Sequence, residues 1–412
     1  MAPVRLVALM CLSQVLVQIG AYAWPALLPT FLRDWPIDNS DAGWITGIFY
    51  GAYTVSVPIL VSLTDRVDPK RIYLCGVAAT VAAHLVFALW VDGFWGALAA
   101  RALAGIGWAG TYMTGLKLLS DRVQGRLMNR AVSGHAAAVG IAGALSFIFA
   151  DALASAYGWR AAFAVSGGCA MAAFATIFLV APWQQPRAKT LPSGPLLDFR
   201  PVLRNRAAMA YAVAYCVHTW EMNTLRGWAV AFLAFAAAGS APGGWMAPAA
   251  IVTLTALVGT AASVLGNEVA LAWGRVRVVR IAMIASIVCA VATGFAGTAS
   301  YALAAALVVV YGILIWLDSA SLTAGTTGAA EPERRGATLA IHSMLGYAGG
   351  FVGPLAMGIT LDLAGGMTPS AWAAAFCSVA LVVAAGLVAF EWLHRTASIE
   401  ARGATASPSA AP

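Results

Sequence analysis

Four ionisable residues of this 412-residue sequence lie inside long apolar stretches: Arg101, Glu221, Arg226 and Asp318. An ionised group at the centre of a hydrocarbon layer costs about 3 kcal/mol or more unless it is paired or hydrated. Each such residue should therefore turn toward a partner or a wet space. A guanidinium presents a planar fork that fits carboxylates, phosphates and other anions. A buried carboxyl group takes up a proton when burial dominates and releases it when an arginine comes near. The pair of arginines thus reads as an anion site, and Glu221 or Asp318 as a proton carrier. His218, one turn from Glu221, joins the proton candidates. The competing reading is that the four form static ion pairs between helices.

Composition defines the surroundings of these residues. The chain is 61% hydrophobic and 10% charged, against about 25% charged for a soluble domain. Stretches of about 20 mainly apolar residues can cross a bilayer. Reading for them gives twelve approximate spans: 5–30, 42–63, 72–92, 94–118, 130–151, 160–182, 207–237, 246–270, 277–297, 300–324, 337–362 and 369–392. The fold class is an all-α membrane protein, and the lipid bilayer is its main partner. Arg5, a short apolar run and Ala21-Tyr22-Ala23 imitate a cleaved leader. Gln14 and Gln18 interrupt that run, so an uncleaved first span is expected, with Tyr22 to Pro29 at its interface end.

Loop charges orient the spans. With the N-terminus in the cytoplasm, Arg5, Arg66, Lys70, Arg71, Arg122, Arg126, Arg130, Arg187, Lys189, Arg200, Arg204, Arg206, Arg275, Arg277, Arg280, Arg334, Arg335, Arg395 and Arg402 fall on one side. Only Arg33 and Arg160 fall on the other. Both termini are therefore expected in the cytoplasm. The net charge of +7 is explained by this leaflet bias and not by nucleic acid.

The longest polar break runs from 183 to 206 and holds Pro186, Pro192, Pro195 and Pro201. It divides the chain into a bundle at 1–182, a cytoplasmic linker at 183–206, a second bundle at 207–392 and a disordered tail at 393–412. The bundles read as weak repeats. A shift of about 206 residues lays Gly140 on Gly346 and Gly143 on Gly349. A slightly larger shift lays Trp159-Arg160-Ala161-Ala162-Phe163 on Trp372-Ala373-Ala374-Ala375-Phe376.

The loop after the second span reads Leu63-Thr64-Asp65-Arg66-Val67-Asp68-Pro69-Lys70-Arg71. It resembles the loop signature G-x-L-A-D-R-x-G-R-R/K of the major facilitator superfamily, with Val61 and Asp68 in place of the two glycines. In the fourth span, Arg101 followed by Gly105 and Gly107 resembles that family's R-x-x-x-G-x-G pattern. The resemblance implies secondary transport by alternating access, with spans 1, 4, 7 and 10 lining a central cavity. All four embedded charges fall on that set. It also implies a conformational gate of Asp65, Arg66, Lys70 and Arg71, with Glu268, Arg275 and Arg277 in the second copy. Gly134, Gly140 and Gly143 lack the Gly-Pro that completes the drug-exchange signature, although Gly353-Pro354 supplies one in the eleventh span, where it predicts a kink. His218-Thr219-Trp220-Glu221 to Arg226-Gly227-Trp228, with Trp316-Leu317-Asp318-Ser319, resembles bacterial permeases of the cyanate/nitrate type.

Gln14, Gln18 and Tyr22 share one helix face at four-residue spacing and are substrate-binding candidates, as are Tyr112 and Trp220. Lys117 reads as an interface anchor. At 1.5 Å per residue, Glu221 stands roughly 20 Å up its span and Arg101 roughly 10 Å below the outer surface, so the two are expected to approach. His84, His135 and His342 read as packing residues. The six cysteines, Cys11, Cys75, Cys169, Cys216, Cys289 and Cys377, show no metal spacing, and no metal or other cofactor is expected. Neither a phosphate-binding loop nor a catalytic triad is present. The expectation is a monomeric, proton-coupled transporter of a small anion in a bacterial inner membrane, and not an enzyme. Proton-driven efflux of drugs or metabolites is the alternative, and a receptor without flux a third.

Overall fold

The computed structural model describes residues 3–64, 66–183, 199–239 and 246–406. All regular structure among them is helical. The first pass is broken into α1 (Pro3–Gln18), α2 (Ala23–Ala26) and α3 (Leu28–Asp34). Five unbroken passes follow: α4 (Asn39–Leu63), α5 (Pro69–Trp90), α6 (Phe94–Ser120), α7 (Arg126–Tyr157) and α8 (Trp159–Val180). The short α9 (Arg200–Arg204) leads into α10 (Arg206–Ala238), α11 (Pro248–Trp273) and α12 (Arg275–Ala296). The tenth pass is split into α13 (Tyr301–Trp316) and α14 (Ser319–Ala329). The last two are α15 (Arg335–Leu363) and α16 (Pro369–Ala406). Twelve passes thus account for the twelve apolar stretches.

Among the described residues, nine of these passes are long and apolar enough to cross a membrane by length and composition alone. The first pass, α6 and α10 are not among the nine. Those three carry Gln14, Gln18, Arg101, Glu221 and Arg226, so the polar side chains collect where the hydropathy signal is weakest.

The repeat has a backbone counterpart. Gly158 (φ 84°) turns the chain from α7 into α8, while Gly365 and Gly366 (φ 92° and 91°) turn it from α15 toward α16. Left-handed φ is open to glycine without steric cost. Each turn delivers an aromatic nest. In one, Trp159 and Phe163 meet Phe31 and Phe87. In the other, Trp372 and Phe376 meet Phe232.

The two sets of passes meet chiefly along α4 and α15, and again where α7 meets α11. Small residues permit this. A Cβ at Gly43 would press on Pro354 and Leu355, and one at Gly47 would overlap the Phe351 carbonyl. The contact is locked at the face opposite the basic loops. There the Asp362 carboxylate accepts from Asn39 N (3.2 Å), Asn39 Nδ2 (2.7 Å), Ser40 N (2.7 Å) and Ser40 Oγ (2.6 Å). Asn39 and Ser40 open α4, so the carboxylate closes on a helix N-terminus, where free N–H groups favour negative charge.

Two expectations need correction. Helix α16 runs to Ala406, where disorder was expected from 393. The segment is rich in strong helix formers, Arg395 lies 3.9 Å from Glu391 one turn back, and Glu400 pairs with Arg206 at 2.8 Å. The first pass does not end at Tyr22 to Pro29 but continues through α3 to Asp34, with Tyr22, Trp24 and Leu28 buried among the helices. The 183–206 linker lies outside the described residues over 184–198, and its last residues form α9 and the start of α10. Helix α15 continues through Pro354, whose carbonyl accepts from Trp228 Nε1 at 2.9 Å.

Candidate functional site

The site begins with a missing hydrogen-bond donor. In a continuous helix, the Ala21 carbonyl would accept from the N–H of residue 25. That residue is Pro25, which has none, so the first pass breaks and the carbonyl is left free. Arg101 of α6 fills the gap, donating from Nη1 to Ala21 O at 2.9 Å. Its guanidinium lies 4.3 Å from the centre of the Phe49 ring and is 3% exposed. The next residue, Tyr22, anchors its own N–H on Ser146 Oγ at 2.9 Å. Its hydroxyl accepts from Arg226 Nη1 at 3.2 Å. Arg226 also lies over the Trp316 ring at 4.8 Å. Two arginines from opposite bundles thus hold consecutive residues of one broken helix.

A space of ≈ 220 Å³ lined by residues that include Gln18, Thr80, His84 and Trp108 also touches Ala21 and Phe49, the partners of Arg101. The buried Arg101 Nε, Trp108 Nε1 and Gln14 Nε2 have no hydrogen-bond partner, which makes this region rich in donors. Beside Arg226 is a space of ≈ 330 Å³ lined mainly by apolar groups, among them Met222, Val252, Ile315 and Trp316, with Thr255.

The embedded acids lie elsewhere. Glu221 is buried within the C-terminal bundle, where Oε1 accepts from Tyr311 at 2.7 Å and Oε2 from Ser286 at 3.3 Å. Asp318 sits at the break between α13 and α14, with Oδ1 at 3.0 Å from His218 Nδ1. The expected approach of Glu221 to Arg101 is not observed, nor is one chamber shared by all four charges. The reason is helical geometry: five residues turn the helix about 140°, so α10 aims Arg226 at Tyr22 and Glu221 at α12 and α13. Among the described residues, neither arginine forms an ion pair with a carboxylate. A static pairing of the four is thereby contradicted.

The sequence pattern of the Major Facilitator Superfamily matches residues 10–316, most of the chain. The chain belongs to the Major Facilitator Superfamily. It is 25% identical over 240 residues to human protein spinster homolog 1 and 24% identical over 243 residues to the bovine protein. Each match covers 55% of this chain and 45% of the relative, so the chain matches about half the length of these relatives. Its fold is that of solved transporters. A bacterial homologue of the human lysosomal transporter Spinster, in an inward-facing and occupied conformation, superposes with TM-score 0.73 and 16% identity over 96% of both chains. The nucleoside transporter NupG gives 0.73 and 15% over 94% of this chain and 98% of that one. A POT family transporter in complex with a thioalcohol-conjugated peptide gives 0.78 and 11% over 95% and 96%.

The superfamily's signature loop is engaged within its own bundle. Lys70 is buried, and its Nζ donates to Phe178 O (2.9 Å) and Ala181 O (2.6 Å) at the end of α8, with Trp183 covering it at 3.9 Å. A lysine there caps free carbonyls and opposes the negative end of the helix dipole. Arg122 bonds Asp68 and the Pro182 carbonyl, both at 3.1 Å. Asp65 lies outside the described residues. Arg66, Arg71, Glu268 and Arg277 are exposed and Arg275 half-buried; among the described residues, none of them enters an ion pair across the bundles.

The remaining candidates scatter. Gln14 is buried and its Oε1 lies 3.5 Å from the Tyr73 hydroxyl. Gln18 lines the Arg101 cavity. Tyr112 stacks on His135 and its carbonyl meets His135 Nε2 at 3.0 Å. Trp220 is half-buried with its indole N–H unpartnered. Lys117 pairs with Asp121 at 2.5 Å, as a residue at the end of a span can. Sequence reading passed over Asp362, Ser286, Tyr311 and the aromatic layer in which Tyr347 meets Tyr53 at 4.0 Å and Trp108 at 5.9 Å. Hydroxyls and rings inside apolar runs give no charge signal. Asp362 lies at the end of an apolar run, where a charge does not stand out.

Proposed function

We propose that this superfamily member is a secondary transporter that moves a small organic or inorganic anion by alternating access, coupled to protons. One observation carries the reading: Arg101 and Arg226 grip the consecutive residues Ala21 and Tyr22 and, among the described residues, pair with no carboxylate, while Glu221 accepts from Tyr311 and Ser286 and Asp318 lies 3.0 Å from His218. Uncompensated guanidinium charge in an apolar surrounding favours an anionic ligand. Acids set apart from it are free to exchange protons. The nineteen-to-two distribution of basic residues supports a bacterial inner-membrane location with both termini cytoplasmic. The likeness to cyanate/nitrate-type permeases rests on the two stretches around Glu221 and Asp318 and fits a small anion. The cargo named for the structural neighbours, nucleosides and peptides, belongs to those proteins.

The apolar lining beside Arg226 favours a second reading, proton-driven efflux of a drug or metabolite. Thermal stabilisation of the purified protein by a ligand panel, followed by flux in vesicles with an imposed pH gradient, separates the two. Anions that stabilise the wild type but not Arg101→Ala, and that accumulate with the gradient, support the first. Stabilisation by neutral or cationic apolar compounds alone supports the second.

A further inference from the structure

The space of ≈ 330 Å³ beside Arg226 combines one charged group with an oily wall. Met222 and Leu225 reach it from α10, Val252 and Ala256 from α11, and Ile315 and Trp316 from α13. Close packing fixes the wall between α11 and α13: a Cβ at Gly259 would overlap the Trp316 indole, and one at Gly312 would overlap Thr255. Thr255 also lines the space, but its hydroxyl donates to Ile251 O at 2.8 Å within its own helix. Arg226 is half-buried. Its guanidinium lies 4.8 Å from the centre of the Trp316 ring and 5.4 Å from that of Tyr22. Among the described residues it spends one donor, Nη1 on Tyr22, and a guanidinium has five. The rings hold the charge in place, and most of its fork is left to offer.

We propose that this space seats the apolar body of the substrate, which is an organic monoanion: a carboxylate on a short hydrocarbon or aromatic body, and not an inorganic oxyanion. The inference rests on the anion reading above and narrows it. The Arg226 fork takes the carboxylate, and the body lies against Met222, Val252 and Ile315. An inorganic oxyanion carries oxygens on every side. Those turned away from Arg226 would lose their water against hydrocarbon with nothing to replace it. A dianion would leave its second charge in the same position, and a cation would meet Arg226 itself. A monocarboxylate matches both parts of the lining, the polar end and the apolar one. Trp316 serves both, since it lies under the guanidinium and also lines the space, so a flat aromatic body can stack on it. Met222 is unbranched and half-buried, which lets it adjust to bodies of different length.

The probes are the straight-chain acids from acetate to octanoate, benzoate, the amide of each acid, nitrate and phosphate. Their binding to the purified full chain in lipid nanodiscs is measured by calorimetry at neutral pH, and empty nanodiscs correct for uptake by lipid. Expected is an affinity that rises about threefold for each added methylene and then levels off, with every amide about tenfold or more weaker than its acid. Arg226→Gln should bring the acids down to the level of their amides. Ala256→Leu, which fills the space, should flatten the rise. Met222→Ala, which enlarges it, should move the plateau to a longer acid, and it decides the point if Ala256→Leu does not fold. A flat series in which nitrate or phosphate binds as well as hexanoate overturns the organic assignment and leaves the anion reading standing. Failure of every acid to bind also overturns it, as does a rise that both Ala256→Leu and Met222→Ala leave unaltered, or acid binding that survives Arg226→Gln. Amides that bind the wild type as tightly as their acids defeat the anion reading itself.

Discussion

The two bundles bury different charges beside the broken passes of matching scaffolds. Both place an aromatic nest at the face away from the basic loops, and both enter it through a left-handed glycine turn. The N-terminal bundle then buries Arg101, whose partners are a carbonyl and a ring. The C-terminal bundle buries Glu221, Asp318, His218 and His342, whose partners are hydroxyls and each other. Under the proposed function, the cation takes up the anion and the acids carry the protons. The difference shows how one repeated frame divides two tasks, with Arg226 reaching from the second bundle to the first.

Arg101→Ala should break this division most severely. Loss of this cation from the middle of the N-terminal bundle should lower flux of any anion found in the ligand panel by about 100-fold or more, comparable to losing a charge-assisted contact worth roughly 3 kcal/mol. Transport at wild-type rate in that variant would remove the anion site from the N-terminal bundle. Glu221→Gln should next separate drive from binding: accumulation against a pH gradient should disappear while exchange of labelled for unlabelled substrate continues. If exchange falls in step with accumulation, Glu221 contacts substrate and the two bundles are not specialised.

A milder probe concerns the seam between them. Gly47→Leu places a side chain against the Phe351 carbonyl and should hold the seam apart, lowering the thermal midpoint by several degrees. It should also raise the labelling of a cysteine placed near residue 50. Asp362→Asn should act in the same direction but more weakly, shifting the open fraction about tenfold for each 1.4 kcal/mol lost. Smallest is Lys70→Met. It should loosen the end of α8 and cost about 1 kcal/mol of stability, leaving flux direction unchanged, because Lys70 serves its own bundle in this structure.

The passes were legible because lipid demands long apolar runs, and the break in the first pass is foreshadowed by Pro25 and Pro29. The four charges stood out for the same reason. Their grouping did not, because sequence gives depth along a helix more readily than direction around it. Arg226 and Glu221 share a span yet face different neighbours, and only the packing of α10 against α12, α13 and the first pass reveals which. The partners of His342, Thr323 and Thr326, lie on another helix, which spacing along the sequence does not show. The tail was misjudged because Ala-rich sequence reads as low complexity until a partner such as Arg206 is placed beside Glu400.

The proline in the first pass has a mechanical consequence. By sparing a single carbonyl, Pro25 lets a residue of α6 grip the same short turn that Arg226 grips from across the seam. That turn works like a turnstile bar with a hand on each end: neither bundle can swing without dragging it or letting go. Under the proposed function, a cargo that takes either hand frees that end of the turn and so changes the load on the other.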